Sequence, residues 1–211
     1  MRSVDANARY ALEITVEPDH IARVRAHALE LGTDPITALI GSQCAVIAAA
    51  TGALNIVEIG TGAGVSGLWL LHGARRATLT TIDNEPEHLA VARQAFADAG
   101  IPPARTRLIT GRATDVLPRM NEASYDVVLV DADPEGVIEY VEHGLRLVRP
   151  GGTVLVPRVL ADGAVADPVR RDPVTSAYRS LVQETLASPA VVGALAIGGE
   201  GLLQLTSMPT A

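Results

Sequence analysis

Glu58, Gly60, Gly62 and Gly64 stand at alternate positions at the end of a short apolar run, Asn55-Ile-Val-Glu-Ile. An apolar segment, Leu68 to Leu71, follows. A buried strand, a tight glycine turn and the start of a helix fit this order. Glycines let a backbone approach a ligand closely, and a helix start offers N–H groups without intrahelical partners. Such a turn makes a pocket for a nucleotide-type cofactor. Further along, Asp83 ends a second apolar run, and Asp131 and Asp133 end a fourth, Tyr125-Asp-Val-Val-Leu-Val. Carboxylates at successive strand ends are placed to accept hydroxyl groups or to polarise an acceptor.

Two cofactors compete for the glycine turn. Gly62-x-Gly64-x-x-Gly67 matches the dinucleotide fingerprint by spacing alone. With the strand ending at Ile59, however, the first turn glycine is Gly60, and Glu58 stands two residues before it. A carboxylate there repels a pyrophosphate and attracts the ammonium of S-adenosylmethionine. Asp83 suits a ribose in either case. The register favours S-adenosylmethionine, with an NAD-dependent oxidoreductase as the alternative.

The elements that must position these residues alternate. Strands are predicted at 56–59, 77–82, 107–110, 126–130 and 153–156. Between them come helices at 66–71, 85–99, 113–119 and 135–148. Two helices precede them, at 17–31 and from a Thr33-Asp34-Pro35 cap to about Thr51. After a helix at 173–187, runs 190–197 and 202–206 flank Gly198-Gly199-Glu200-Gly201 as a terminal hairpin. The expected fold class is α/β: a Rossmann-like, seven-stranded, mostly parallel sheet with helices on both faces and an antiparallel C-terminal hairpin. One domain is expected, with residues 1–52 as a helical cap and 53–211 as the core.

Composition narrows the chemistry. The 211 residues carry a net charge of −7, which argues against a nucleic-acid partner. No apolar run is long enough to span a bilayer, and the N-terminus lacks a signal-peptide core. A cytoplasmic protein is expected. All 17 basic residues are arginine, so no lysine base, Schiff base or phosphate-loop lysine is available. Cys44 is the single cysteine and sits in an apolar stretch, which excludes internal disulfides and thiolate zinc sites. His20, His27, His72, His88 and His143 show no metal-ligand spacing; His72 and His88 read as solvated helix positions.

Five segments then occur in order: Val57-Glu-Ile-Gly-Thr-Gly-Ala-Gly-Val-Ser66, Thr81-Ile-Asp83, Gly111-Arg-Ala113, Tyr125 to Asp133, and Arg149-Pro-Gly-Gly152. Together they resemble the class I methyltransferases of the catechol and caffeoyl-CoA O-methyltransferase type. The resemblance is nearest to the small O-methyltransferase candidates of mycobacteria and related actinobacteria, and runs from about Pro35 to Thr206. It implies that Glu58, Gly60 and Thr61 meet the methionine end of S-adenosylmethionine and that Ser66 binds its carboxylate. Asp83 and Asn84 would hold the ribose, Ala113 the adenine, and Ile36 would close over the cofactor. Asp131 and Asp133 would border the pocket mouth, with Asp131 polarising the hydroxyl of a small-molecule acceptor. A homodimer is also implied, with Ile21, Val24 and Leu31 as candidate contacts.

The pattern breaks at the fifth strand. Metal-dependent relatives place an aspartate and an asparagine where this chain has Pro157-Arg158, so no metal site is expected. Their Asp-Ala-Asp-Lys continues here as Asp131-Ala-Asp133-Pro134, without the lysine. Arg158 is then either an exposed strand-end charge or a substrate-binding group, its guanidinium replacing part of the metal charge and binding an acidic acceptor. The missing groups also leave open a protein that binds S-adenosylmethionine without turnover.

Overall fold

The computed structural model describes residues 2–198 and 200–209, with side chains from Ala6 onward. Three helices come first: α1 (Arg2–Ile14), α2 (Asp19–Glu30) and α3 (Ala38–Ala50). The alternating part comprises β1 (Asn55–Ile59), α4 (Val65–Gly73), β2 (Thr78–Asp83), α5 (Pro86–Asp98), β3 (Thr106–Thr110) and α6 (Ala113–Val116). It continues with β4 (Tyr125–Val130), α7 (Val137–Leu147) and β5 (Val148–Pro157). Helix α8 (Pro173–Ala187), β6 (Val191–Ala196) and β7 (Leu202–Ser207) close the chain.

The seven strands form one sheet in the order β3-β2-β1-β4-β5-β7-β6. The first five are parallel, while β7 runs antiparallel to both β5 and β6. This is the expected fold class. Gly199, read from sequence as part of the hairpin turn, lies outside the described residues.

Alternation along the strands feeds two cores. Ile56, Leu79, Val127, Leu129 and Leu155 face α2, α3, α4 and α5. Val57, Ile59, Ile82, Val128 and Val154 face α7 and α8. Such two-sided burial is why the central strands read as continuous apolar runs. Residues of the N-terminal helices, Ile21, Ile40 and Cys44 among them, pack in the first of these cores.

Helix α3 differs from the sequence expectation. Thr37, not Thr33, caps it, its hydroxyl accepting from the Ile40 N–H at 3.4 Å. Residues 33–37 are therefore free of the helix. Glycine packing fixes α4 against α3: a Cβ on Gly73 would sit 2.0 Å from the Ala45 carbonyl oxygen, and one on Gly41 2.3 Å from the Trp69 ring. That close approach sets where the N-terminus of α4 points. Helix α1 is not among the helices that the sequence pattern predicts, and the segment after β5 forms a 3-10 stretch at Ala161–Ala166.

Candidate active site

A cavity of about 800 Å³ opens at the carboxyl ends of β1, β2, β4 and β5. Parallel α/β sheets bind ligands at this edge because strand order reverses there and leaves a crevice. Of the residues singled out from the sequence, Gly60, Thr61, Ser66, Asp83, Asn84, Ala113, Asp131, Asp133 and Arg158 line it. Ile36 and Glu58 do not. Ile36 is buried in the core, and its carbonyl accepts from Arg25. The stretch Leu31 to Pro35 borders the cavity in its place.

The glycine turn is shaped by steric necessity. Gly60 has φ +91, and a Cβ there would lie 2.0 Å from the Asp131 carbonyl oxygen. Gly64 caps α4 in the left-handed region with no side-chain cap, so the first N–H groups of α4 stay available beside the cavity. Asp83 holds the turn from outside. Its Oδ2 accepts from the Thr61 N–H at 3.0 Å and the Gly62 N–H at 2.9 Å. Its Oδ1 accepts from the Glu85 N–H at 2.9 Å and lies 3.4 Å from His88 Nδ1. Much of the carboxylate expected to face a ribose is therefore engaged with the loop. His88, read as a solvated surface residue, instead lines the cavity.

Glu58 lies one layer behind the wall and is fully buried. Thr81 donates to its Oε2 at 2.6 Å, and the Thr81 and Thr61 hydroxyls are 2.6 Å apart. Oε1 has no partner. Burial pushes the Glu58 carboxyl up to about 8, although hydrogen bonds from Thr81 and Ser66 oppose the shift. A hydrogen-bonded route from it to the cavity wall runs through Thr81 to Thr61, which lines the wall.

At the other end, β5 delivers Arg158 into the site. Nη2 donates to Asp131 Oδ2 at 2.9 Å and Nη1 donates to Asp34 Oδ2 at 2.9 Å. Nε is buried, makes no hydrogen bond, and lies 3.8 Å from Glu200 Oε2. The guanidinium is thus engaged by the chain's own carboxylates, which an acidic acceptor would have to displace. It is also no exposed strand-end charge. Burial raises the Asp131 carboxyl above its ordinary range, with Arg158 opposing. Backbone strain concentrates here, since Arg158, Ala161 and Asp162 have φ of +59, +44 and +52. Non-glycine residues persist in that region only where surrounding contacts hold them, and such sites are often functional. Asp133 accepts from Tyr140 Oη at 2.8 Å and from the Gly136 N–H at 3.1 Å, so it also caps the turn before α7.

Sequence reasoning missed Asp34, Tyr178 and Glu200 as cavity residues. Asp34 stands in a stretch with the composition of a helix cap. Glu200 lies in the hairpin turn, and Tyr178 on a helix that read as polar. None lies in a recognisable motif; only the tertiary fold brings them to the strand ends.

A profile of the methyltransferase domain matches residues 57–156, the span that supplies the glycine turn, Asp83 and Asp131. A candidate O-methyltransferase of Mycobacteroides abscessus is 43% identical over 96% of this chain and 95% of its own. The chain belongs to the O-methyltransferase family that uses S-adenosylmethionine. Among solved structures, an O-methyltransferase from Streptomyces achromogenes involved in tomaymycin synthesis, in complex with S-adenosylmethionine, superposes with a TM-score of 0.83. It is 27% identical, with 98% of this chain and 96% of that chain covered. A Corynebacterium glutamicum protein superposes with a TM-score of 0.89 at 30% identity, covering 99% of each chain.

The O-methyltransferase cavity fits its family's cofactor on its own chemistry. The open N-terminus of α4 suits a carboxylate. Thr61, backed by buried Glu58, can accept from an ammonium, and Asn84 adds a polar side chain beside Asp83. The metal ligands of the metal-dependent relatives have no counterpart at Pro157-Arg158. Among the described residues, no group of three or more His, Cys, Asp or Glu has metal-holding geometry.

Proposed function

We propose that this O-methyltransferase methylates a hydroxyl of a small-molecule acceptor without a divalent metal, using Asp131 and Arg158 at the reacting end. The observation that carries this reading is the Arg158–Asp131 pair, 2.9 Å apart at the ends of β5 and β4 on the cavity wall. When bound, S-adenosylmethionine supplies an electrophilic methyl group on a sulfonium. The chain's task is to hold the acceptor oxygen in line and to take its proton.

Asp131 is the base. One of its oxygens is held by Arg158, which fixes the carboxylate's orientation and leaves the other oxygen to accept from the acceptor hydroxyl. Burial raises its basicity toward the working range, as a general base requires. Arg158 keeps a positive charge beside the oxygen as it loses its proton, which is part of what a metal ion provides elsewhere in the family. An arginine suits this because it stays charged at all working pH values.

For the cofactor we assign the methionine end to Gly60, Thr61 and Ser66, with Glu58 acting through Thr61. The ribose falls to Asp83 and Asn84, the adenine side to Ala113, and Asp133 to the wall near the acceptor. Residues 1–52 serve as a cap whose 31–35 stretch borders the acceptor end, over the core at 53–211.

A homodimer is part of the same reading, with a revised surface. Ile21 is fully buried, so it cannot form the contact. Leu31 is exposed and stays a candidate, and Tyr10, Ile14, Val16 and Leu29 are further exposed apolar residues on or beside α1 and α2. A scattering mass equal to one 22.0 kDa chain would refute the dimer. A cytoplasmic location without nucleic-acid partners completes the reading, and cell fractionation tests it.

The deciding experiment measures S-adenosylhomocysteine formation with a phenol panel, with and without EDTA. Turnover that survives EDTA supports the reading. Chelator-sensitive turnover overturns its metal-free part, and cofactor binding without turnover on any acceptor would favour a binding protein.

A further inference from the structure

The charge balance around the acceptor end points to what kind of hydroxyl compound enters. Six carboxylates line the cavity, and they differ in how well they are compensated. Asp83 is satisfied by three backbone N–H groups, and Asp133 by a tyrosine hydroxyl and one N–H. Asp34, Asp131, Asp162 and Glu200 remain, and the cation set among them is Arg158; the other basic residues of the lining stand at the cofactor end, Arg112 next to Ala113 and His88 beside Asp83. That guanidinium already donates to Asp34 and Asp131 and lies within 4 Å of Glu200. No free face of the Arg158 guanidinium is left for an incoming carboxylate or phosphate. Burial raises the Glu200 carboxyl, with Arg158 opposing, which is the behaviour of a carboxylate short of positive partners. The walls between these groups are apolar, with Pro157, Val137, Val174 and Tyr178.

We propose that the acceptor is a cationic hydroxyl compound: an apolar or aromatic body carrying its hydroxyl at Asp131 and a protonated amine toward Asp34 and Glu200. Like charge at a recognition site rejects the wrong ligand as strongly as opposite charge selects the right one. An anionic acceptor would have to displace Asp34 from Arg158 and then sit among uncompensated carboxylates. An ammonium compensates those carboxylates and leaves the Arg158–Asp131 pair intact. This inference rests on the methyltransferase reading of the cavity, and its test separates the two.

The experiment is calorimetric. Protein saturated with S-adenosylhomocysteine is titrated with tyramine and with 4-hydroxyphenylacetate, two phenols of nearly equal size that differ in the charge of the side chain. The amine should bind at least about tenfold more tightly. Asp34→Asn with Glu200→Gln should flatten that preference while S-adenosylhomocysteine affinity stays as in the parent. Asp34 is exposed, so loss of folding is not the expected cause of any change there. Equal binding, tighter binding of the acid, or binding of neither overturns the cationic-acceptor inference while leaving the cofactor reading intact. Failure of S-adenosylhomocysteine itself to bind overturns the cofactor reading, and the acceptor inference falls with it.

Discussion

Arg158 and Asp131 tie the ends of β5 and β4 together through one 2.9 Å charge-assisted hydrogen bond. In the proposed mechanism this is where an acceptor oxygen loses its proton. The bond would orient a base and supply a positive charge in the same contact, so its two partners should fail differently when removed.

Arg158→Ala should lower kcat by about 10- to 1000-fold, a loss in the range of removing one charged stabilising donor. S-adenosylhomocysteine affinity, measured by calorimetry, should stay within about twofold, because the cofactor end lies on β1 and β2. Removal of the guanidinium leaves Asp34, Asp131 and Glu200 around one vacated point. Oxygen ligands so disposed favour a hard cation. Magnesium should then restore part of the lost rate in Arg158→Ala and add nothing to the parent. An Arg158→Ala enzyme with full activity would remove Arg158 from the mechanism.

Asp83→Ala should weaken cofactor binding and destabilise the fold together. The carboxylate accepts from the N–H groups of Thr61, Gly62 and Glu85, and losing it leaves donors without partners beside the glycine turn. Each such loss costs on the order of 1–3 kcal/mol. Thermal unfolding should show a fall in Tm, and calorimetry a Kd for S-adenosylhomocysteine raised at least about tenfold. Unchanged Tm with weakened binding would mean that Asp83 serves the ribose alone.

Asp126 anchors the opposite end of the sheet. Its Oδ2 accepts from the N–H groups of Leu54 and Asn55 at 2.8 Å, and Oδ1 accepts from Arg149 Nε at 2.6 Å. Burial alone would raise this carboxyl, but the two backbone donors and Arg149 hold it below its ordinary range. A depressed carboxylate stabilises the fold above its unfolded pKa, about 3.9, and that stabilisation is lost as pH falls through the folded value. Asp126→Ala should therefore lower Tm at pH 7, by about 2–4 °C for each kcal/mol lost. The gap to the parent should narrow in acid. A gap that does not change with pH would show that the charge is immaterial.

The parts legible in the sequence were those written in local pattern. The apolar runs of β1 and β4 and the glycines at 60, 62 and 64 declared the sheet and its ligand edge. Each reflects short-range chemistry, in burial, turn geometry and backbone approach. The acceptor end was not legible for the opposite reason. Asp34, Arg158, Tyr178 and Glu200 come from four separated segments and meet only when β7 inserts between β5 and β6. Thr33-Asp34-Pro35 has a helix-start composition, yet Thr37 provides the cap and leaves Asp34 for Arg158. His88 looked like one more polar residue of an exposed helix face until the turn after β2 brought it beside Asp83.

The Glu58–Thr81–Thr61 chain should make cofactor affinity depend on pH. When Glu58 is ionised, Thr81 gives its single proton to the carboxylate, Thr61 gives its own to Thr81, and Thr61 presents only lone pairs to the cavity. When Glu58 is protonated the chain can reverse, and Thr61 then donates into the cavity. An ammonium is accepted in the first state and opposed in the second. Burial holds Glu58 at about 8, so its cofactor-free form is mostly protonated at neutral pH. Cofactor uptake should therefore release a proton, and the observed binding enthalpy at pH 7 should change with the ionisation enthalpy of the buffer. Affinity should strengthen as pH rises through about 8. Stability moves the other way. The folded-state pKa lies above the unfolded value of about 4.3, so the contribution of Glu58 is fully present below that value and is lost as pH rises through the folded one. Glu58→Gln cannot ionise, so its Tm should pull ahead of the parent from about pH 5 to 8 and hold its lead above that. The ceiling on the gain is a few kcal/mol, at about 1.4 kcal/mol per pKa unit. The same variant should bind S-adenosylhomocysteine more weakly and without proton release. Thr81→Val breaks the chain while keeping Glu58, and it should abolish the pH dependence of affinity. Buffer-independent enthalpies in the parent would show that Glu58 keeps its protonation state on binding, and the relay would be refuted.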